Sequence, residues 1–265
     1  MISRFALMIV VAFMLAVSGC ATHTVKLNKP ESQYAQFKKT YSSCNSTGIK
    51  ATASLYYSSE GKGHRTTITL WGDYELPLRL DVRAGIGAYV AHIREENAGL
   101  TAFYPDERTS YSHSSPLRAV QLLGLPFPFS LKDLAGLVSG CYQSLIPNVY
   151  NTVTPVAETK FRYSFDNSQI SSIILNEQGV ATEITGPNEN PWKMELSAYE
   201  LNDSGKMLPD KIIVYTGTGE KAVLRIKSRT FFAEKWPDEA LKMELPDGTE
   251  KIKLDKNNYS KINLK

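Results

Sequence analysis

From residue 49 onward, apolar and polar residues alternate with a period of two, the spacing of a strand with one buried face. Ile49, Ala51, Ala53, Leu55 and Tyr57 fall on one face, with Lys50, Thr52, Ser54 and Tyr56 between them. Glu60-Gly61-Lys62-Gly63 turns the chain into a Thr-rich run over 65–71, which predicts a hairpin. Leu76, Leu78, Leu80 and Val82 then alternate with Arg79, Asp81 and Arg83, and after Ala84-Gly85-Ile86-Gly87 come runs over 88–95 and 100–104. Five such strands joined by short turns predict an antiparallel meander with one apolar face. Strand patterns resume over 160–165, 169–175, 180–185, 192–199, 211–216, 222–227 and 241–245, with Asn176-Glu177-Gln178-Gly179 as the clearest turn.

Between these two stretches the period becomes helical. Ser115-Pro116 has the order of an N-cap and a first helical proline, Leu117 and Val120 follow at helical spacing, and Gly124 stops the run. Pro126-Phe127-Pro128-Phe129 is a stiff apolar link. Ser130 with Asp133 opens a second helix in the manner of a capping box, with Leu131, Leu134, Leu137 and Val138 on one stripe and Gly140 at its end. A further short helix is predicted over 31–41. No fixed repeat and no Ser/Gly/Pro-rich linker divides the strands, so 35–265 reads as one mainly β domain of ten or more strands with two apolar helices inserted mid-chain.

The first residues carry a different signal. Arg4 is the only charge ahead of the apolar run over 5–17, which has signal-peptide length and is too short to span a bilayer. The run closes in Val17-Ser18-Gly19-Cys20, which resembles the bacterial lipobox. That resemblance implies removal of 1–19, lipid on Cys20, and a polar tether over 20–34 joining the domain to a membrane. Ala21, rather than Asp, after the cysteine implies the outer membrane, with the domain facing the periplasm. Lys and Arg number 30 against 27 Asp and Glu, a near balance that gives no electrostatic footprint for nucleic acid. Cys44 and Cys141 are the other two cysteines. In an oxidising compartment, a disulfide between them and two buried free thiols fit the sequence equally.

Catalytic patterns are missing from the sequence. His23, His64, His92 and His113 are widely spaced, with no His-Glu-x-x-His run, no Cys-x-x-Cys and no Gly-x-Ser-x-Gly elbow. Ser59 and Lys62 match Ser-x-x-Lys, but that pair needs a helix and here it sits in a glycine turn. His92 is expected to point outward from its strand. No catalytic residue, cofactor, metal or nucleotide is implied, and a binding module is the expected class.

A lipidated cysteine, a tether, a meander, two apolar helices and a second antiparallel run together resemble the LolA/LolB-type lipoprotein-carrier superfamily, closest to its LolB members. The resemblance implies an incomplete antiparallel β-barrel closed by a helical lid. Two local stretches carry it furthest. Leu78-Arg79-Leu80-Asp81-Val82-Arg83 runs into Gly85, Ile86 and Gly87, where Ile86 takes the place of an exposed leucine that inserts into membrane or cargo. Leu125-Pro126-Phe127, leading to Leu131 through Leu137, is similar to the family's lead into its lid helix. The expected inner face carries Leu55, Leu80, Tyr89, Phe161, Tyr163, Ile174 and Met194. The expected lid carries Leu117, Val120, Phe127, Phe129, Leu131, Leu134 and Leu137. Inward apolar residues look the same in a core and in a lipid cavity, and small Ala51, Ala53 and Ala91 favour room for acyl chains. The implied partners are acylated lipoproteins or other lipids, a soluble periplasmic carrier and the membrane. The functional alternatives are a carrier of another amphiphile and a structural lipoprotein with a filled core. Cys20→Ser is expected to leave the chain uncleaved and without lipid, and mass spectrometry of the wild-type mature N-terminus checks this, since an unmodified end would remove the anchor.

Overall fold

The computed structural model describes residues 29–85 and 87–256. Within them fourteen strands form one sheet, accompanied by four short α-helices. After α1 (Pro30–Tyr41), six strands follow as an antiparallel meander: β1 (Gly48–Ser59), β2 (Lys62–Asp73), β3 (Leu78–Ala84), β4 (Ala88–Glu96), β5 (Gly99–Tyr104) and β6 (Thr109–His113). The chain then forms α2 (Pro116–Leu122) and α3 (Leu131–Ser139). A second antiparallel run comprises β7 (Thr152–Ala157), β8 (Lys160–Ser164), β9 (Ser172–Leu175), β10 (Ala181–Thr185), β11 (Trp192–Leu201), β12 (Met207–Thr216) and β13 (Lys221–Phe232).

β13 returns to pair with β1, so the spatial order is β6 to β1, then β13 down to β7. β6 and β7 do not pair, and the sheet does not close into a barrel. After β13 the chain passes over the outer face of β2 and β3, where Trp71 and Arg79 donate to the carbonyls of Ala240 and Lys242. It includes α4 (Asp238–Leu241) and ends in β14 (Glu250–Lys253), which joins β6 in the only parallel ladder among the described residues.

Four elements differ from expectation. β6, β7 and β14 lack an apolar alternation: β6 buries Thr109 and Ser110, β7 carries Pro155, and β14 is Glu-Lys-Ile-Lys. The expected strand over 241–245 is instead the end of α4 and irregular chain, and of its three apolar residues only Leu241 is buried. The helix signals correspond closely to the structure. Ser115 and Ser130 accept from the backbone N–H of Arg118 and Asp133, and Gly140 ends α3 at φ 68°, the left-handed conformation that glycine takes without cost.

The inner faces of both runs share one continuous hydrophobic core with α1, α2 and α3. Ala51, Ala53 and Ala91 are buried in it. α3 packs against β1, β3 and β12 within this core.

The register places the β1–β2, β3–β4 and β12–β13 turns at one end of the sheet, called the upper end below. α1 lies along the lower end of β8 to β12. Gln33 donates to the carbonyls of Thr159 and Asn176, and the Tyr41 hydroxyl donates to Met207 O at 3.0 Å. Tyr41 and Phe37 also stack on Tyr142, just past α3. There Cys44 and Cys141 form a disulfide with Cα atoms 5.2 Å apart, joining the chain after α1 to the chain after α3. It encloses 97 residues of sequence separation, a loop long enough for a cross-link to contribute about 3–5 kcal/mol. Cys141→Ser should lower unfolding free energy by that amount, and urea titration of wild type with and without reductant should show the same loss.

Candidate functional site

α3 crosses the inner face with both of its ends hydrogen-bonded to side chains of the sheet. The Glu95 carboxylate on β4 accepts from Leu131 N at 2.6 Å and Lys132 N at 3.4 Å, the first turn of the helix. Arg229 on β13 donates through Nε to Val138 O at 2.8 Å, at the last turn, and also binds Asp210 and the carbonyl of Pro209. The Arg229 cation at the C-terminus matches the helix dipole, and Glu95 matches it at the N-terminus when ionised. Neither residue stood out in the sequence. Glu95 keeps the inward parity of Ala91 and Ile93, a signal that could have marked it. Arg229 reaches the inner side through a bulge in the β1–β13 ladder, which sequence parity does not reveal.

At the upper end, the segment after α2 folds over the sheet. Leu125, Pro126 and Phe127 face Leu55, Ile68, Leu80 and Val82 across a wholly apolar space of about 160 Å³. Tyr57 and the exposed His64, opposite each other in register, stand at its outer end beside Thr66. A space of that size accepts a molecule about as large as benzene, so in this conformation it holds a short stretch of hydrocarbon and no more. On the other side of Leu125 and Phe127 lies a second hollow of about 410 Å³. Its walls are Arg118 and Gln121 from α2, Glu189 to Trp192 before β11, and Thr216, Thr218 and Glu220 at the β12–β13 turn. Tyr57 is hydrogen-bonded to Glu220, and burial first, then that carboxylate, pushes its hydroxyl up to about 12.

The expected cavity and lid residues are mostly brought together, as a packed core. Leu55, Leu80, Val120, Phe127, Phe129, Leu131, Leu134, Leu137, Tyr163 and Met194 belong to one buried cluster, with Phe161 packed against it and Leu117 half-buried. Two placements are corrected. Tyr89 is 43% exposed on the outer face beside Arg83 and His92, because a bulge between Val82 and Arg83 reverses the parity of the strand tip. Ile174 is buried on the outer face between Arg162 and Glu183, while its neighbours Ile173 and Leu175 take the inward positions. His92 points outward as expected, and its Nδ1 lies 2.8 Å from Asp81. Gly85 and Gly87 form the β3–β4 turn with φ 52° and 124°. Ile86 and Cys20, with the segment over 1–19, lie outside the described residues. Among the described residues no group of three or more metal-ligating side chains is found, and no helix is long and apolar enough to cross a membrane.

Glu95 is the titratable group on which α3 depends. Burial pushes its carboxyl up to about 7, with Asp133 adding to the rise, while the Leu131 and Lys132 N–H groups and the Lys132 charge pull it down. An unfolded glutamate titrates near 4.5. Its contribution to stability is therefore fully present below that pH and is lost as pH rises through 7. Glu95→Gln keeps an acceptor for Leu131 N without the charge. Urea titrations at pH 5 and pH 8 should show the variant gaining on wild type by up to about 3 kcal/mol as pH rises, and parallel profiles would mean that Glu95 is solvated.

No protein-family model matches the chain, and no curated protein sequence matches it. Solved structures do. A LolA superfamily protein from Nitrosomonas europaea aligns with TM-score 0.55 and 11% identity, over 80% of this chain and 97% of that one. A structure described as an outer membrane lipoprotein-sorting protein domain, from Vibrio parahaemolyticus, aligns with TM-score 0.53 and 9% identity, over 78% and 94%. A DUF1329 family protein from Desulfovibrio piger gives TM-score 0.54 and 10% identity, over 80% and 96%. The fold is that of LolA-superfamily structures.

Proposed function

We propose that this chain is a lipid-anchored envelope lipoprotein that binds acyl chains between its sheet and the 125–139 segment, receives acylated lipoproteins from a soluble periplasmic carrier and passes them to the outer membrane. The observation that carries the reading is the wholly apolar space under Leu125 and Phe127, in a fold shared with a lipoprotein-sorting domain. Binding is the role that fits such a space, since its exposed walls hold a hydrocarbon by apolar contact. At about 160 Å³ the space is a starting point for a chain. A full acyl group displaces Phe127 and Phe129 and lifts the start of α3 from Glu95. Ile86, the residue between Gly85 and Gly87 in the sequence, would enter the bilayer or the cargo, a step that gains about 2 kcal/mol for one branched side chain.

The continuous core supports a second reading, a structural lipoprotein whose inner face is filled permanently. One experiment separates them: a fluorescent fatty-acyl probe is loaded onto the protein and its delivery to vesicles is followed. Under the carrier reading, wild type takes up the probe, Leu125→Asp weakens uptake about tenfold or more by placing a carboxylate in the apolar wall, and Ile86→Glu loads normally but delivers slowly. A folded wild type that takes up no probe belongs to the structural reading.

A further inference from the structure

The apolar space and the larger hollow beside it share one wall, the side chains of Leu125 and Phe127. One compartment is built for hydrocarbon and the other sets charged and polar groups beside apolar ones, a division of the kind an amphiphile has along its own length. The second hollow carries more negative than positive charge. Glu189 and Glu220 contribute two carboxylates, and Asn190, Thr216 and Thr218 add amide and hydroxyl groups that both donate and accept, with Thr216 bonded to Thr218 and to Glu220. Among the described residues lining it, the single full positive charge is Arg118, whose Nη1 is engaged with Gln121 Oε1 at 3.1 Å. Glu220 sits at the junction itself, because Tyr57, which lines the apolar side, is bonded to it.

We infer that this hollow is a head-group site, which selects an amphiphile whose polar part is neutral or cationic and donates hydrogen bonds over one that ends in a carboxylate or phosphate. The inference rests on the acyl-binding reading of the adjacent space. An anionic head seated there meets two carboxylates against one guanidinium. A hydroxyl or amide head meets no such repulsion, and an ammonium head is attracted. Coulomb attraction and repulsion at partly exposed sites are weak but act over the short distances of such a hollow, so the discrimination is expected at about tenfold, not thousands.

Three amphiphiles with the same dodecyl chain test this: the glycerol monoester, the amine and the free fatty acid, each titrated into the intact protein by calorimetry at pH 7 below its micelle threshold. The ester and the amine should bind about tenfold more tightly than the carboxylate. Glu189→Lys, an exposed loop position, should raise carboxylate affinity about tenfold and weaken the amine, with the thermal melt unchanged. Equal affinity for the three heads, or an order that Glu189→Lys does not alter, would overturn the head-group site while leaving acyl binding in place. Failure of all three to bind would overturn both.

Discussion

A helix laid across the inside of a sheet has to satisfy its terminal N–H and C=O groups where water does not reach. α3 does so with side chains of the sheet: the Glu95 carboxyl from β4 at one end and a guanidinium from β13 at the other. Its apolar residues can therefore remain buried over β1 and β3, and the chain on either side inherits its position. The segment before it covers the apolar space at the upper end, and the segment after it meets α1 at the disulfide. The C-terminal end of α3 is held by Arg229 and, two residues on, by the disulfide, and its N-terminal end by the Ser130 cap and Glu95, so the two ends are unequal.

The same asymmetry reconciles a filled core with the proposed binding role. Leu131, Leu134 and Leu137 contact the core as ordinary packing residues do, and Phe127 and Phe129 add aromatic surface that water would not solvate readily. An acyl chain offers equivalent apolar contact, so exchange of side chain for ligand is close to balanced in buried area. The costs that decide it are the polar ones: the bonds at the α3 N-terminus and the groups around the junction of Tyr57 and Glu220.

Much of this architecture is legible in the chain. Alternation from Ile49 to Tyr57 and from Leu78 to Val82 marks strands because one face is buried, and Ser115, Ser130 and Gly140 mark helix ends because their side chains or their conformational freedom satisfy terminal groups. Legibility fails where a strand has no buried alternation, as in β6, β7 and β14, and where a bulge changes parity without changing composition. Tyr89 and Arg229 are both of the second kind: one was assigned to the inside and lies outside, the other was overlooked and lies inside. The apolar wall of the candidate site was readable as Leu55, Leu80 and Phe127. The polar hollow beside it was not, since its walls come from three segments that only the fold brings together.

The ladder between β1 and β13 pairs Gly48 with Phe232 and Ser58 with Lys221, residues that are among the most distant in the described chain. Each meander can form from local hairpins, but their union waits for the last long strand. Contacts of such separation slow folding, and a chain made from its N-terminus meanwhile exposes the edge of β1 as unpaired backbone. Order of synthesis and order of assembly are thus opposed in this fold. The first strand to be made is among the last to be completed, and the first half of the molecule needs shelter from aggregation until the second arrives.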